Sequence, residues 1–353
     1  MNVAESIQLA REWVEGYGAN HPEFRGAHLM GGITSLPQSA EFPPTTDLDL
    51  AILVETASQP PQAPIEEFYR GMPIEAGLRS VELYGSPEVV LANPDLASNL
   101  AVDSIIADPY GLLAQIQPLV SAEYARPRWV MARCEVEKEQ ALAALGRAAQ
   151  ATTPAEFHVA MFWALTYLSG LITVASVRPP THRKCLVLLR ELLRAQGMDD
   201  LYEETLSIGG FAHLSATQVS TYQMHQAAAF ARAVEIHRTP SPGDFKFKPH
   251  LHAYIVDGFD VMIKQGDHRE AMLWVCCFLD ICTRAIKNDG PAAEGARYSR
   301  ILSELFDLLG VATPGSRSEK LHKAREVKDS LFALADEIVG RLVDDTPMIV
   351  ATA

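Results

Sequence analysis

Apolar residues recur at helical spacing over residues 4–16 (Ile7, Leu9, Ala10, Trp13, Val14), which predicts an amphipathic first helix. "RGAHLM" then predicts a short strand that ends at Gly31-Gly32. "TSLPQSAEFPPTT" reads as a loop after one helical turn, and "DLDLAILVE" as a strand that becomes fully apolar. "TASQPPQAP" is a linker, because proline cannot sit inside a central strand. "IEEFYRG" reads as helical and "MPIEAGLRSVELYG" as the next strand. Helix, strand, turn, strand, helix, strand make an α/β unit that closes near residue 90.

From about residue 95 the period changes. "LASNLAVDSIIAD", "GLLAQIQPLVSAEYA", "EVEKEQALAALGRAAQ", "AEFHVAMFWALTYLSGLITVA", "HRKCLVLLRELLRAQG" and "LSATQVSTYQMHQAAAFARAVEIH" all carry a 3.6-residue repeat. Further helices are predicted over 251–265, 268–287, 294–309 and 317–342. The fold class is therefore α+β: a domain over 1–95 with a small mixed sheet, then an all-α domain over 96–345. The second domain is open to subdivision near 239–249, where "RTPSPGDFKFKP" breaks the pattern. Residues 95–119 have the character to pack on either part.

Composition narrows the partners. Of 353 residues, 48% are hydrophobic and 21% charged, enough for a sizeable core. The formal net charge of -14 disfavours long nucleic acid, whose phosphates an acidic surface repels. Cys134, Cys185, Cys276, Cys277 and Cys282 are odd in number and lack metal-like spacing, so they read as reduced core residues of a cytoplasmic protein. The N-terminal helix lacks the basic and apolar regions of a signal peptide. "FWALTYLSGLITVASV" reads as too short for a membrane span.

The chemistry concentrates in "GGITSLPQSAEFPPTTDLDLAILV". On a strand, Asp47 and Asp49 project to the same side. Two carboxylates so close repel, and a hard divalent cation between them resolves the conflict, with waters and substrate phosphates completing its shell. Gly31 and Gly32, without Cβ atoms, let a phosphate approach backbone N–H groups. Phosphate-cradling backbone followed by a cation-binding pair points to metal-assisted phosphoryl or nucleotidyl transfer.

Strand, Gly-Gly, loop and Asp-Leu-Asp-Leu resemble the nucleotidyltransferase superfamily, which includes DNA polymerase beta and the aminoglycoside nucleotidyltransferases. The motif covers about residues 25–90, and its acidic pair lies further from the glycines than is usual. The resemblance implies that Asp47 and Asp49 hold Mg²⁺, two ions, and that a third carboxylate follows on a later strand. Glu75 in "PIEA" resembles a glutamate of spectinomycin-type adenylyltransferases, as metal ligand or general base; Glu82 is the fallback. Gly31, Gly32, Ser35, Thr46 and Lys184 are the implied nucleotide contacts, with Lys184 resembling a helical-domain lysine that meets the triphosphate. The implied reaction moves a nucleoside monophosphate from an NTP, ATP first, to a hydroxyl of a small aminoglycoside-like acceptor and releases pyrophosphate, in the manner of antibiotic resistance enzymes. An antitoxin-like protein adenylyltransferase and a non-catalytic nucleotide-binding module are the rival readings. The implied site lies in a cleft between the two domains.

Other features read as structural. Arg178, Arg183 and Lys184 flank a helix start that an anion would favour. His250 and His252 lack a third ligand nearby, His28 sits on a core strand, and Tyr167 lies in an aromatic core stretch. An Arg-x4–6-His ribonuclease pattern occurs twice, at Arg317/His322 and Arg232/His237, and two hits in one chain show how unspecific it is.

Overall fold

The computed structural model describes residues 1–55 and 63–343; most of the linker read at 56–64 lies outside them, as does the end of the chain. Asn2 starts the first helix, α1 (Val3–Asn20), through a reciprocal cap. Its side chain accepts from the Glu5 N–H, and Glu5 accepts from the Asn2 N–H. β1 (Phe24–Met30) follows, then a tight 3₁₀ turn at Gly31–Ser35. β2 spans Leu48–Val54, β3 Ile65–Tyr69 and β4 Met72–Ser80. A second 3₁₀ turn (Val81–Tyr84) leads to α2 (Pro87–Ala92), α3 (Pro94–Leu100) and β5 (Ile105–Ala107).

The strands form one mixed sheet in the order β3-β4-β2-β1-β5. β2 and β4 run parallel, and the other neighbours pair antiparallel. One face packs on α1: Leu48, Leu50, Ile52, Ile74 and Ala76 meet Val3, Ala10, Trp13 and Val14 in a single core. Over β1 the other face is covered by the turn at Val81–Tyr84, whose Tyr84 is fully buried against His28.

Three expectations fail here. Residues 65–69 form a strand, not a helix. Arg70 (φ 48°) and Gly71 (φ 90°) both take left-handed backbone, and such a two-residue turn folds β3 straight back onto β4. The predicted strand through residue 85 stops at Ser80, so Glu82 sits in the following turn. Ile105–Ala107 lie in a stretch read as helical, yet form β5, held on β1 by pairs such as His28 with Ile105.

The chain divides into two units. Among the described residues, the first comprises 1–55, 63–136, 174–181 and 336–343. It includes the sheet and α4 (Leu112–Glu123), and the division falls inside α5 (Pro127–Gln150) and α6 (Pro154–Ala175). The second unit comprises 137–173 and 182–335. Its helices are α7 (Cys185–Ala195), α8 (Asp199–Gly209), α9 (Ala216–Ile236), α10 (Gly258–Lys264), α11 (His268–Asp289) and α12 (Ala292–Leu308), followed by most of α13 (Pro314–Gly340). α11 is its axis, packed on α9 and α12. Glu270 of α11 is 2% exposed, held by Arg190 of α7 at 2.6 Å and by the Tyr202 hydroxyl of α8.

α6 is longer than the apolar stretch read as too short for a span. Its 22 residues are long and apolar enough to cross a membrane, and 83% of its most apolar window is buried, as in a core helix. Among the described residues no disulfide joins the cysteines, and Cys134, Cys185, Cys276 and Cys282 are buried.

Candidate functional site

The α1 core decides which side chains face the other way. Leu48, Leu50 and Ile52 are at most 1% exposed on the α1 side. Alternation along β2 therefore turns Asp49, Ala51 and Leu53 to the opposite face. Asp47 stands one residue before β2, and its side chain is buried at 4% exposure. Parallel pairing sets Glu75 of β4 level with Asp49. Asp47, Asp49 and Glu75 each bring a carboxylate oxygen within 4.8 Å of the others. Among the described residues this is the one such group of potential ligands.

The set suits a hard divalent cation, which prefers oxygen donors to imidazole or thiolate. Three carboxylates converging on one point repel one another, so a cation there is favoured electrostatically. Glu75 is the acid the strands bring to the pair; Glu82, beyond the end of β4, is not in the group. Sequence reasoning missed a further carboxylate. Glu66 of β3 lies opposite Glu75, so Asp49, Glu75 and Glu66 make a row across three strands. Reading residues 65–69 as a helix hid it.

Gly31 is required by geometry. Its φ is +69°, and a Cβ there would lie 2.4 Å from Asp49 Oδ2. The missing side chain is the room the Asp49 carboxylate occupies. The Gly31 N–H donates to Asn99 Oδ1 at 3.0 Å, and Asn99 is itself 6% exposed and anchored to Asp95 O. Asn99, on α3, thus positions the turn from outside the motif. Gly32 is exposed, and a Cβ added there would meet nothing within 4 Å. Ser35 ends the 3₁₀ turn, and the Thr46 N–H closes a turn to Pro43 O just before Asp47. Lys184 belongs to the second unit, exposed at the start of α7.

His28 lies on the carboxylate side of the sheet but is fully buried. Burial pushes its pKa down to about 4, against a smaller opposing effect of its bond to Leu29 O. The ring is therefore neutral at pH 7. Nδ1–H donates to Leu29 O at 2.9 Å, which leaves Nε2 to accept from the Tyr84 hydroxyl at 2.8 Å. His28 is a strut between β1 and the turn after β4, as its core position predicts.

The remaining candidates are engaged structurally. Arg317 is 7% exposed and donates to the carbonyls of Val311, Ala312 and Thr152, while His322 is exposed. Arg232 pairs with Glu294 and Glu235, and His237 sits between Asp244 and Asp289. His252 faces Asp257 at 3.5 Å. Tyr167 stacks on Trp163.

No family model matches the chain, and no curated protein matches it. Among solved structures it is similar to a nucleotidyltransferase-like protein from Exiguobacterium sibiricum 255-15. The two share 15% identity over 74% of this chain and 92% of that chain, with a TM-score of 0.31.

Proposed function

We propose that the chain is a metal-dependent nucleotidyltransferase. The observation that carries this reading is the convergence within 4.8 Å of Asp47, just before β2, with Asp49 and Glu75 on the adjoining parallel strands β2 and β4. A divalent cation, Mg²⁺ in the cell, would be held by these three residues and would supply charge stabilisation for a transferring phosphoryl group. Asp47 and Asp49 would hold that cation beside the donor's phosphates, and Glu75 would complete the set. Gly31 keeps the Asp49 carboxylate in place, and Gly32 leaves the turn open to a phosphate. In the reaction an acceptor hydroxyl gives up its proton, to a carboxylate of the trio or to water, and its oxygen forms a bond to the α-phosphorus of an NTP. The bond from that phosphorus to the β-phosphate bridging oxygen breaks, and pyrophosphate leaves.

The acceptor is proposed as a small hydroxyl compound. An aminoglycoside-like acceptor rests on the motif resemblance and on the acidic excess of the chain alone. Lys184 is proposed, on the resemblance alone, as a further contact to the donor's phosphates. Its replacement by alanine is then expected to raise the nucleotide dissociation constant about tenfold or more, as loss of a charge-assisted contact does.

The test is Mg²⁺-dependent release of pyrophosphate from labelled ATP, GTP, CTP or UTP. The acceptors offered are aminoglycosides, other small hydroxyl compounds and a whole-cell extract. Label on a small molecule supports the proposal. Label confined to a protein band replaces it with protein adenylylation. Mg²⁺-dependent nucleotide binding with no transfer to any acceptor replaces it with a binding module.

A further inference from the structure

The sheet face that carries the carboxylates also carries a cation. Along β4, residues 75, 77 and 79 project to the same side. Glu75 pairs with Asp49, and Arg79 pairs with Leu53. The Arg79 side chain folds back along the strand and lies over Gly77. A Cβ on Gly77 would stand 2.9 Å from Arg79 Nη1 and 3.3 Å from its Cζ and Nη2. The absent side chain at 77 is what lets the guanidinium rest there. It is one same-face step from Glu75, roughly 7 Å along the strand.

Arg79 is only partly buried, and its protein partners leave most of its fork unused. Among the described residues its one hydrogen bond runs from Nη1 to Leu78 O at 3.2 Å, and it makes no ion pair with a carboxylate. A planar guanidinium with donors to spare is the side chain best shaped to grip a phosphate or carboxylate.

Its side of the sheet identifies what it grips. The strand order places β1 and β4 on opposite flanks of β2. The Gly31-Gly32 turn leaves β1 and abuts Asp49 from one flank; Glu75 and Arg79 stand on the other. With donor phosphates at the glycine turn, the acceptor approaches across Glu75 and meets Arg79. We propose that Arg79 binds an anionic group of the acceptor, which is thus a small hydroxyl compound bearing a phosphate or carboxylate about 7 Å from the reacting oxygen. This rests on the nucleotidyltransferase reading and narrows it, because a pure polycation has no group for Arg79.

The experiment is calorimetric titration of the full chain loaded with Mg²⁺ and α,β-methylene-ATP. The probes are glycerol 3-phosphate, glycerate, glycerol and ethanolamine. The expected result is that one or both anionic probes bind more tightly than glycerol, phosphate and carboxylate being told apart by which. Arg79→Gln weakens that binding about tenfold or more, Arg79→Lys recovers part of it, and Gly77→Ala weakens it by displacing the guanidinium. Glycerol and ethanolamine are indifferent to all three substitutions. The inference is overturned if neither anionic probe outbinds glycerol, or if Arg79→Gln and Arg79→Lys both bind the anion as wild type does. It is also overturned if Arg79→Gln weakens the nucleotide analogue as much as the anionic probe, which would assign Arg79 to the donor and leave the nucleotidyltransferase reading intact. A wild-type chain that binds no Mg²⁺–nucleotide overturns that reading and this inference together.

Discussion

Gly31 and Gly32 are adjacent, yet they tolerate change differently. Alanine at 31 meets both a left-handed backbone and the Asp49 carboxylate 2.4 Å away. Gly31→Ala is expected to cost roughly 1–3 kcal/mol of stability and to disturb cation binding, both measurable by denaturant titration and Mn²⁺ binding. Gly32→Ala, in open space, should keep stability within about 0.5 kcal/mol and weaken only nucleotide binding. Asp47→Asn and Asp49→Asn should each abolish turnover while the thermal midpoint without metal holds or rises, since one member of a repelling set is gone. Near-wild-type pyrophosphate release from either variant rules out the site. His28 makes a different kind of prediction. Its folded pKa, about 4, lies below the ordinary 6.5, so the unfolded chain takes up the proton first. Stability should be full above pH 6.5 and fall as pH drops from there towards 4. Buried His158, lowered to about 4 by the same cause, adds to this slope. Urea midpoints at several pH values check the direction. At this scale the acid pair and the glycines were legible because their spacing is local. Asn99 and Arg79 were not, since an amide on a later helix and a guanidinium folded over Gly77 acquire their roles only through tertiary placement.

The elements show which part of a pattern carries information. β2 was legible from its long apolar run and β4 from the alternation of Met72, Ile74, Ala76 and Leu78, which also settles the face each residue takes. β3 was not: Ile65-Glu66-Glu67-Phe68-Tyr69 has two adjacent acids, which suits a helix surface as well as an edge strand. What decides is the turn at Arg70-Gly71 together with pairing to β4. β5 is three residues long, too short for any period, and exists because β1 offers it an edge. Among the helices, α7, α8 and α11 are tied by Arg190, Glu270 and Tyr202, with Asp267 at 2.7 Å from Arg190. Arg190→Met leaves Glu270 buried without its cation and is expected to lower stability by about 3–5 kcal/mol. Chemical denaturation monitored by circular dichroism reads this directly; a loss under about 1 kcal/mol would mean the helices are held by apolar packing alone.

For the molecule as a whole, the sheet reaches past the residue where the helical pattern starts. β5 supplies the strand beside β1, Ile106 joins the core under α1, and Asn99 holds Gly31. A fragment of residues 1–95 lacks all three. It should be unfolded or aggregated, as dispersion in an amide correlation spectrum would show. The sequence period registers the change from strands to helices, whereas the unit is completed by where the later chain returns, which no local pattern encodes. The acidic excess, equally visible in the sequence, states solubility and repulsion of polyanions but not the acceptor.

The two-residue turn between β3 and β4 gives the site a natural point of diversification. Glu75 is fixed twice, by the parallel ladder to β2 and by its own strand, whereas Glu66 owes its place to the hairpin alone. One residue inserted at Arg70-Gly71 would slip β3 by one position and turn Glu66 to the α1 side, exchanging it for a neighbour. The trio of Asp47, Asp49 and Glu75 would be untouched. Lineages, or an engineer, could in this way change the charge beside the proposed cation site by altering a turn, without replacing any of its three carboxylates.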